Sequence, residues 1–189
     1  MKTMRTEGTA YSTGTASLFV NFIAFQIGWF SCVLGAARGW PWSGTVVAAA
    51  VVALHLWRAK RPIEEIKLVA IAVAIGLAWD SLLLNLDLVA FKSGNLVNFA
   101  APQWILALWA LFATTLNVSL RWLRGRWIVA AMLGAAAGPL SYWAGMRLEA
   151  LALPNQLPAL LALAMGWAVM TPVLLALARR HDGMGALHV

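Results

Sequence analysis

The chain has 189 residues, of which 62% are hydrophobic and only 11% charged, and its mean hydropathy is +0.78. Soluble domains hold about 45–50% apolar and about 25% charged residues, so a water-soluble core is excluded and lipid is the expected solvent. The net charge of +7 would suit nucleic acid. The basic residues stand at the ends of apolar runs, however, where membrane orientation and anionic headgroups account for them, and no nucleic-acid partner is expected.

Six apolar runs approach the roughly 20 residues that a spanning helix needs: 17–37, 41–57, 62–90, 102–122, 127–148 and 158–178. Residues 1–16 are polar, and the first run contains Asn21 and Gln26 and exceeds the h-region of a signal peptide, so it reads as a retained helix. The division is a cytoplasmic N-terminal segment 1–16, a six-helix transmembrane domain 17–180 and a cytoplasmic tail 181–189. The fold expected is an all-α polytopic bundle of six spans. With the N-terminus inside, 11 of the 14 Lys and Arg residues fall on the cytoplasmic side and three, Arg38, Lys92 and Arg147, fall outside. Cytoplasmic loops carry such an excess, which puts both termini inside and the protein in a bacterial cytoplasmic membrane.

Each of the three outside-to-inside helices opens near a proline, Pro41, Pro102 or Pro158, where the missing N–H would be unpaired in any case. The third run is long enough to tilt or to end before Ala90. Trp40, Trp42, Trp57, Trp104, Trp122, Trp127 and Trp143 lie near helix ends, as an interfacial aromatic belt requires. In the fifth run, Gly134 and Gly138 are four apart, a spacing that lets another helix of the same monomer approach closely. Pro139 and Pro172 are expected to kink their helices.

The chain has one cysteine, Cys32, and three histidines, His55, His181 and His188. These provide no intrachain disulfide, no cysteine cluster for zinc and no histidine-rich di-iron site. No metal and no cofactor is expected.

Asp80 lies well inside the third run. An ionisable group in a spanning helix is costly and faces the bundle interior or a wet cavity. It is either a proton-handling or ligand-binding carboxylate, or a buried group that ties helices together by hydrogen bonds. Glu64 and Glu65 follow Pro62, which suits a helix start with acids complementing the dipole and also suits a catalytic acid at the membrane face. His55 closes the second helix and can pair with a glutamate of the following segment. The candidate acid–base groups are therefore Asp80, Glu64 and His55. Asn21, Gln26, Thr114, Asn117 and Tyr142 are the candidate substrate-orienting residues, since amides and hydroxyls within lipid either bond across helices or face a ligand.

Three strings carry a family resemblance: Asn21-Phe-x-x-Phe25-Gln26-x-x-Trp29; Pro102-x-Trp104 with Leu108-Trp109-x-x-Phe112-x-Thr114-Thr115-Leu116-Asn117-x-Ser119-Leu120-x-Trp122-Leu123; and Gly138-Pro139-x-x-Tyr142-x-x-Gly145. Together they resemble a bacterial membrane family described as domain of unknown function 2878. The resemblance implies a lipid-related role by association with lipid-modifying enzymes and transfers no catalytic residue. The string Pro62-x-Glu64-Glu65 is also similar to a motif of the membrane lycopene cyclases.

These observations favour a membrane protein that binds or modifies a lipid or lipophilic substrate, or assists a lipid-modifying enzyme. A small proton-coupled transporter and a non-catalytic membrane subunit are the alternatives. The sequence assigns no oligomeric state.

Overall fold

The computed structural model describes residues 10–185 and arranges them as six helices. They are α1 (Ala10–Ala37), α2 (Pro41–Arg58), α3 (Pro62–Asn85), α4 (Gln103–Leu116), α5 (Trp127–Arg147) and α6 (Gln156–Arg180). Most of the N-terminal segment 1–16, with Lys2 and Arg5, and the end of the tail, with His188, lie outside the described residues. Pro41 and Pro62 open α2 and α3, as the missing N–H predicts.

Helix α4 is the axis of the bundle. It packs on α1, α2 and α3, while α5 packs chiefly on α6, which also touches α3 and α4. Trp104, Ile105, Trp109, Leu111 and Leu116 of α4 are all buried. Helices α1 and α2 approach closely because Gly44 presents no side chain: a Cβ there would overlap the backbone of Cys32.

Four helices, not six, are long and apolar enough to cross a membrane: α1 from Gly14, α3, α5 and α6. This corrects the six-span expectation, and the N-in/C-in arrangement drawn from six crossings loses that count as its basis. Helix α4 has 14 residues, about 21 Å of helix against a hydrocarbon core of about 30 Å. A helix surrounded by other helices need not match the bilayer, because its end groups meet protein rather than lipid. Helix α2 opens on Pro41-Trp-Ser-Gly-Thr45 and closes on His55 and Arg58, which dilutes its apolar middle. The chain is a multi-pass membrane protein.

Helix α4 ends six residues short of the expected boundary. Leu116 is followed by turns and a single 3₁₀ turn, Arg121–Leu123. Asn117 caps α4 while its side chain bonds other elements. The i, i+3, i+7 spacing of Thr114, Asn117 and Arg121 would put them on one face of a continuous helix, but with α4 ending at Leu116 they share none.

At the other end of the bundle, α3 and α5 terminate alike. Asp87 (φ 54°) and Glu149 (φ 62°) each take the left-handed conformation. Each leads into a two-residue strand, β1 (Ala90–Phe91) and β2 (Leu151–Ala152), and these two pair antiparallel. The loop after β1 is secured by Ser93 Oγ donating to Ala36 O at 2.8 Å and by Trp104 Nε1 donating to Ser93 O at 3.0 Å. Trp104 is thus a core residue rather than part of the interfacial belt, whereas Trp40, Trp42, Trp57, Trp122, Trp127 and Trp143 are exposed on the outer surface.

Candidate functional site

A cavity of about 520 Å³ lies between α1, α4, α5 and α6. It exists because α1 packs on α2 and α4, and α5 packs on α6, while α1 and α5 stand apart. Trp29 Nε1 of α1 donates to Ser141 Oγ of α5 at 3.1 Å across this gap. The rim residues Phe22, Phe30, Leu133 and Leu140 line the cavity and are also exposed on the outer surface. The cavity therefore opens sideways, toward the face that lipid covers.

Its inner wall is aromatic. Trp109 and Trp167 stack with centroids 4.9 Å apart and planes 9° apart, and Phe112 meets Trp167 edge-on at 5.2 Å. Glycines make room for these rings. A Cβ on Gly76 would meet the Trp109 indole, and one on Gly138 would meet that of Trp167. Gly134 abuts the Trp167 carbonyl and Thr171. The Gly134–Gly138 stripe thus seats α6 within the monomer, as its spacing predicts.

Asp80 is fully buried on α3 behind this wall. Trp109 Nε1 donates to Asp80 Oδ2 at 2.7 Å, and the Tyr142 hydroxyl donates to Oδ1. The rings of Trp109 and Tyr142 line the cavity and Asp80 does not. One carboxyl therefore fixes two wall residues from two other helices. In hydrocarbon such bonds contribute typically about 0.6–2 kcal/mol each.

The basic end of the bundle holds a second polar assembly, a clasp. Glu65, fully buried, accepts from Asn117 Nδ2 at 2.7 Å and from Gly183 N at 2.8 Å on Oε1, and its Oε2 pairs with His55 Nε2 at 2.8 Å. Arg124 donates to Asn117 Oδ1 and, at 2.9 Å, to Asp182 Oδ2, which also pairs with Arg121. Glu64 pairs with His181 and Lys67, each at 2.8 Å. Arg121 also donates to Gly185 O at 2.6 Å, and Asn117 to His181 O at 3.0 Å. Residues 181–185 are held against the bundle by these bonds. Burial pushes the Asp182 carboxyl up, but the Arg124 hydrogen bond and the Arg121 and Arg124 charges outweigh it and hold the group below its ordinary value.

The profile of one protein family matches residues 18–173. The chain belongs to the DUF2878 family, described as a protein of unknown function. The match takes in the cavity walls, Asp80 and the Glu65–Asn117 part of the clasp, and stops before Asp182. No curated protein and no solved structure matches the chain.

In this DUF2878 chain the expected site residues separate into three places. Gln26 and Tyr142 line the cavity, with Asp80 directly behind Tyr142. Glu64, His55 and Asn117 belong to the clasp. Asn21 ties α1 to α4, donating to Thr114 O at 3.1 Å and accepting from Ser119 Oγ at 2.8 Å. The Thr114 hydroxyl turns back to its own helix, donating to Leu111 O at 2.7 Å. His55 does find a following glutamate, and that partner is Glu65. Glu65 enters the sequence reading with Glu64 as a helix-start or catalytic acid but not among the acid–base candidates; Arg124 and Asp182 were not anticipated, nor were Trp109, Trp167 and Thr171 as cavity walls. Among the described residues no cluster of three or more His, Cys, Asp or Glu is arranged to hold a metal.

Proposed function

We propose that the protein binds a lipid or lipophilic molecule in the cavity between α1 and α5, taken up sideways from the cytoplasmic membrane of a bacterium. The observation that carries this reading is an aromatic cavity of about 520 Å³ whose rim residues face the lipid side. Ligand pockets span about 300–1,000 Å³ and are mostly apolar with a few placed polar groups, and Gln26 and Tyr142 are such groups. Asp80 acts here as a positioning residue, holding Tyr142 and Trp109 at the wall. The clasp residues Glu64, His55 and Asn117 keep the basic end closed and contribute no wall.

Ala137 lines the cavity and is itself exposed. Ala137→Phe is expected to fill the entrance without disturbing the core. Lipid extraction and mass spectrometry of the purified protein should find a lipophile retained by the wild type and depleted at least severalfold in Ala137→Phe, with the unfolding temperature unchanged. Equal retention by the two proteins would refute the reading.

A further inference from the structure

Helices α1 and α5 both run from the basic end of the bundle toward the two short strands. Ala36, at the end of α1, accepts from Ser93 just after β1, and α5 leads into β2. The lining residues that keep some exposure span 22–30 on α1 and 133–141 on α5. Each span is about 12 Å along its helix axis, at 1.5 Å per residue. The two ends of the cavity differ. At the strand end the lining residues Val33, Trp104, Ile105 and Leu151 are each no more than 7% exposed, so the cavity stops there on a floor. At the basic end Phe22, Ser119, Leu120 and Leu133 all keep some exposure. The cavity is therefore an elongated groove, open along its flank and at the basic end, and blind at the other.

A groove of this shape suits an extended hydrocarbon chain. Such a chain advances about 1.25 Å per carbon, so about ten carbons reach from the open end to the floor. The wall contains no Lys, Arg, His, Asp or Glu, and a charged head inside it would lose its hydration without gaining a counter-charge. The head therefore stays beyond the open end, where the unpaired charge is positive. Glu64, Glu65 and Asp182 are taken up by the clasp. Arg58, Arg126, Arg179 and Arg180 are exposed at this end and have no acidic partner among the described residues. Arg126 immediately precedes α5, about two turns before the first wall residue of that helix. Its guanidinium lies 5.7 Å from the centroid of the Trp122 ring, which is itself exposed. The strand end, by contrast, sets Asp87 and Glu149 against Arg38, Lys92 and Arg147. We infer that the ligand is an acyl-chain lipid with an anionic head. Its chain extends along the groove, with the deepest carbons at Val33, Ile105 and Leu151 and the head at the basic end beside Arg126. This rests on the lipophile reading above and adds the class and orientation of the molecule.

The test uses the full chain in nanodiscs doped with phosphatidylglycerol or phosphatidylcholine, each carrying a diazirine either beside the ester of one acyl chain or about ten carbons deeper. Adducts are located by peptide mass spectrometry. The shallow diazirine is expected on Phe22, Leu120 or Leu133, and the deep one on Val33, Ile105 or Leu151. Phosphatidylglycerol should label the wall about 5-fold more than phosphatidylcholine, the effect of one interfacial arginine on an anionic head. Arg126 is exposed, so Arg126→Gln should fold normally; it should remove most of that excess and leave phosphatidylcholine unchanged. Labelling that ignores the position of the diazirine, the reverse order of depth, equal labelling by the two lipids, or a full excess retained in Arg126→Gln would overturn the inference and leave the cavity reading standing. A wall unlabelled by all four probes would overturn both.

Discussion

The clasp and the cavity sit in one bundle and use polar groups in opposite ways. In the clasp, Glu65 has a partner on each oxygen and Asn117 on both ends of its amide, and five residues of chain after α6 are held by the result. The cavity wall is mostly aromatic and aliphatic, and its polar groups Trp29, Trp109 and Tyr142 are each tied to a single neighbour. His55, Glu64, Glu65, Lys67, Arg121, Arg124, His181 and Asp182 meet at the first place, and no Lys, Arg, His, Asp or Glu lines the second. A dense network of charged residues is the usual signature of chemistry, yet here it holds the fold. The region poor in charge has the space that a ligand requires.

Substitutions can break this comparison, beginning with the largest effect. Glu65→Ala leaves His55, Asn117 and Gly183 N without their acceptor. Removing one member of a buried ionic network costs about 3–5 kcal/mol, so denaturation in detergent should show a loss of that order. A near-neutral Glu65→Ala would mean that the clasp does not hold the bundle. Next, Gly76→Ala forces the Trp109 ring to shift. Overpacking costs about 1–3 kcal/mol, and because Trp109 is wall, this variant should also change lipophile uptake. Glu65→Ala and Gly76→Ala can then be separated by whether binding changes beyond the loss of folded protein.

Smaller effects sharpen the same contrast. Asp182 has a folded pKa below its ordinary value, and the unfolded value is about 3.9. Its contribution to stability is therefore complete above the unfolded value and lost as pH falls through the folded one. Acid titration of stability should show this loss in the wild type and a reduced loss in Asp182→Asn. Lys67 is half exposed and pairs with Glu64 three residues earlier. Lys67→Ala should change stability by no more than about 0.5 kcal/mol, and a large loss would extend the clasp to its exposed edge.

Asp80 was legible in the sequence because a carboxylate in an apolar run has few uses. Glu65 was legible in principle. Glu65, Leu68, Ala72, Gly76, Asp80 and Leu83 form one buried stripe on α3 at spacings of three and four, which places Glu65, not Glu64, on the inward face with Asp80. The helix-start reading of the Pro-x-Glu-Glu string treats the two acids alike and obscures this. Asp182 and Arg124 meet only through tertiary packing, more than 50 residues apart in sequence, and no local pattern reports that. The early end of α4 was hidden because Val118, Leu120, Trp122 and Leu123 continue the apolar run past its last helical residue. The cavity arises from a gap between two helix groups, and each wall alone reads as an ordinary apolar stripe.

The central claim is that lipophile reaches the interior wall of α4. Ile105 is buried and Leu108 and Phe112 are partly buried, all facing the cavity rather than the outer surface. Photolabelling in native membranes with a diazirine-bearing alkyl ester, followed by peptide mapping, measures this directly. The account predicts adducts on Ile105, Leu108 or Phe112, abolished by Ala137→Phe. Adducts confined to outward residues such as Val46, Ile63 and Met165, with α4 unlabelled, would contradict it.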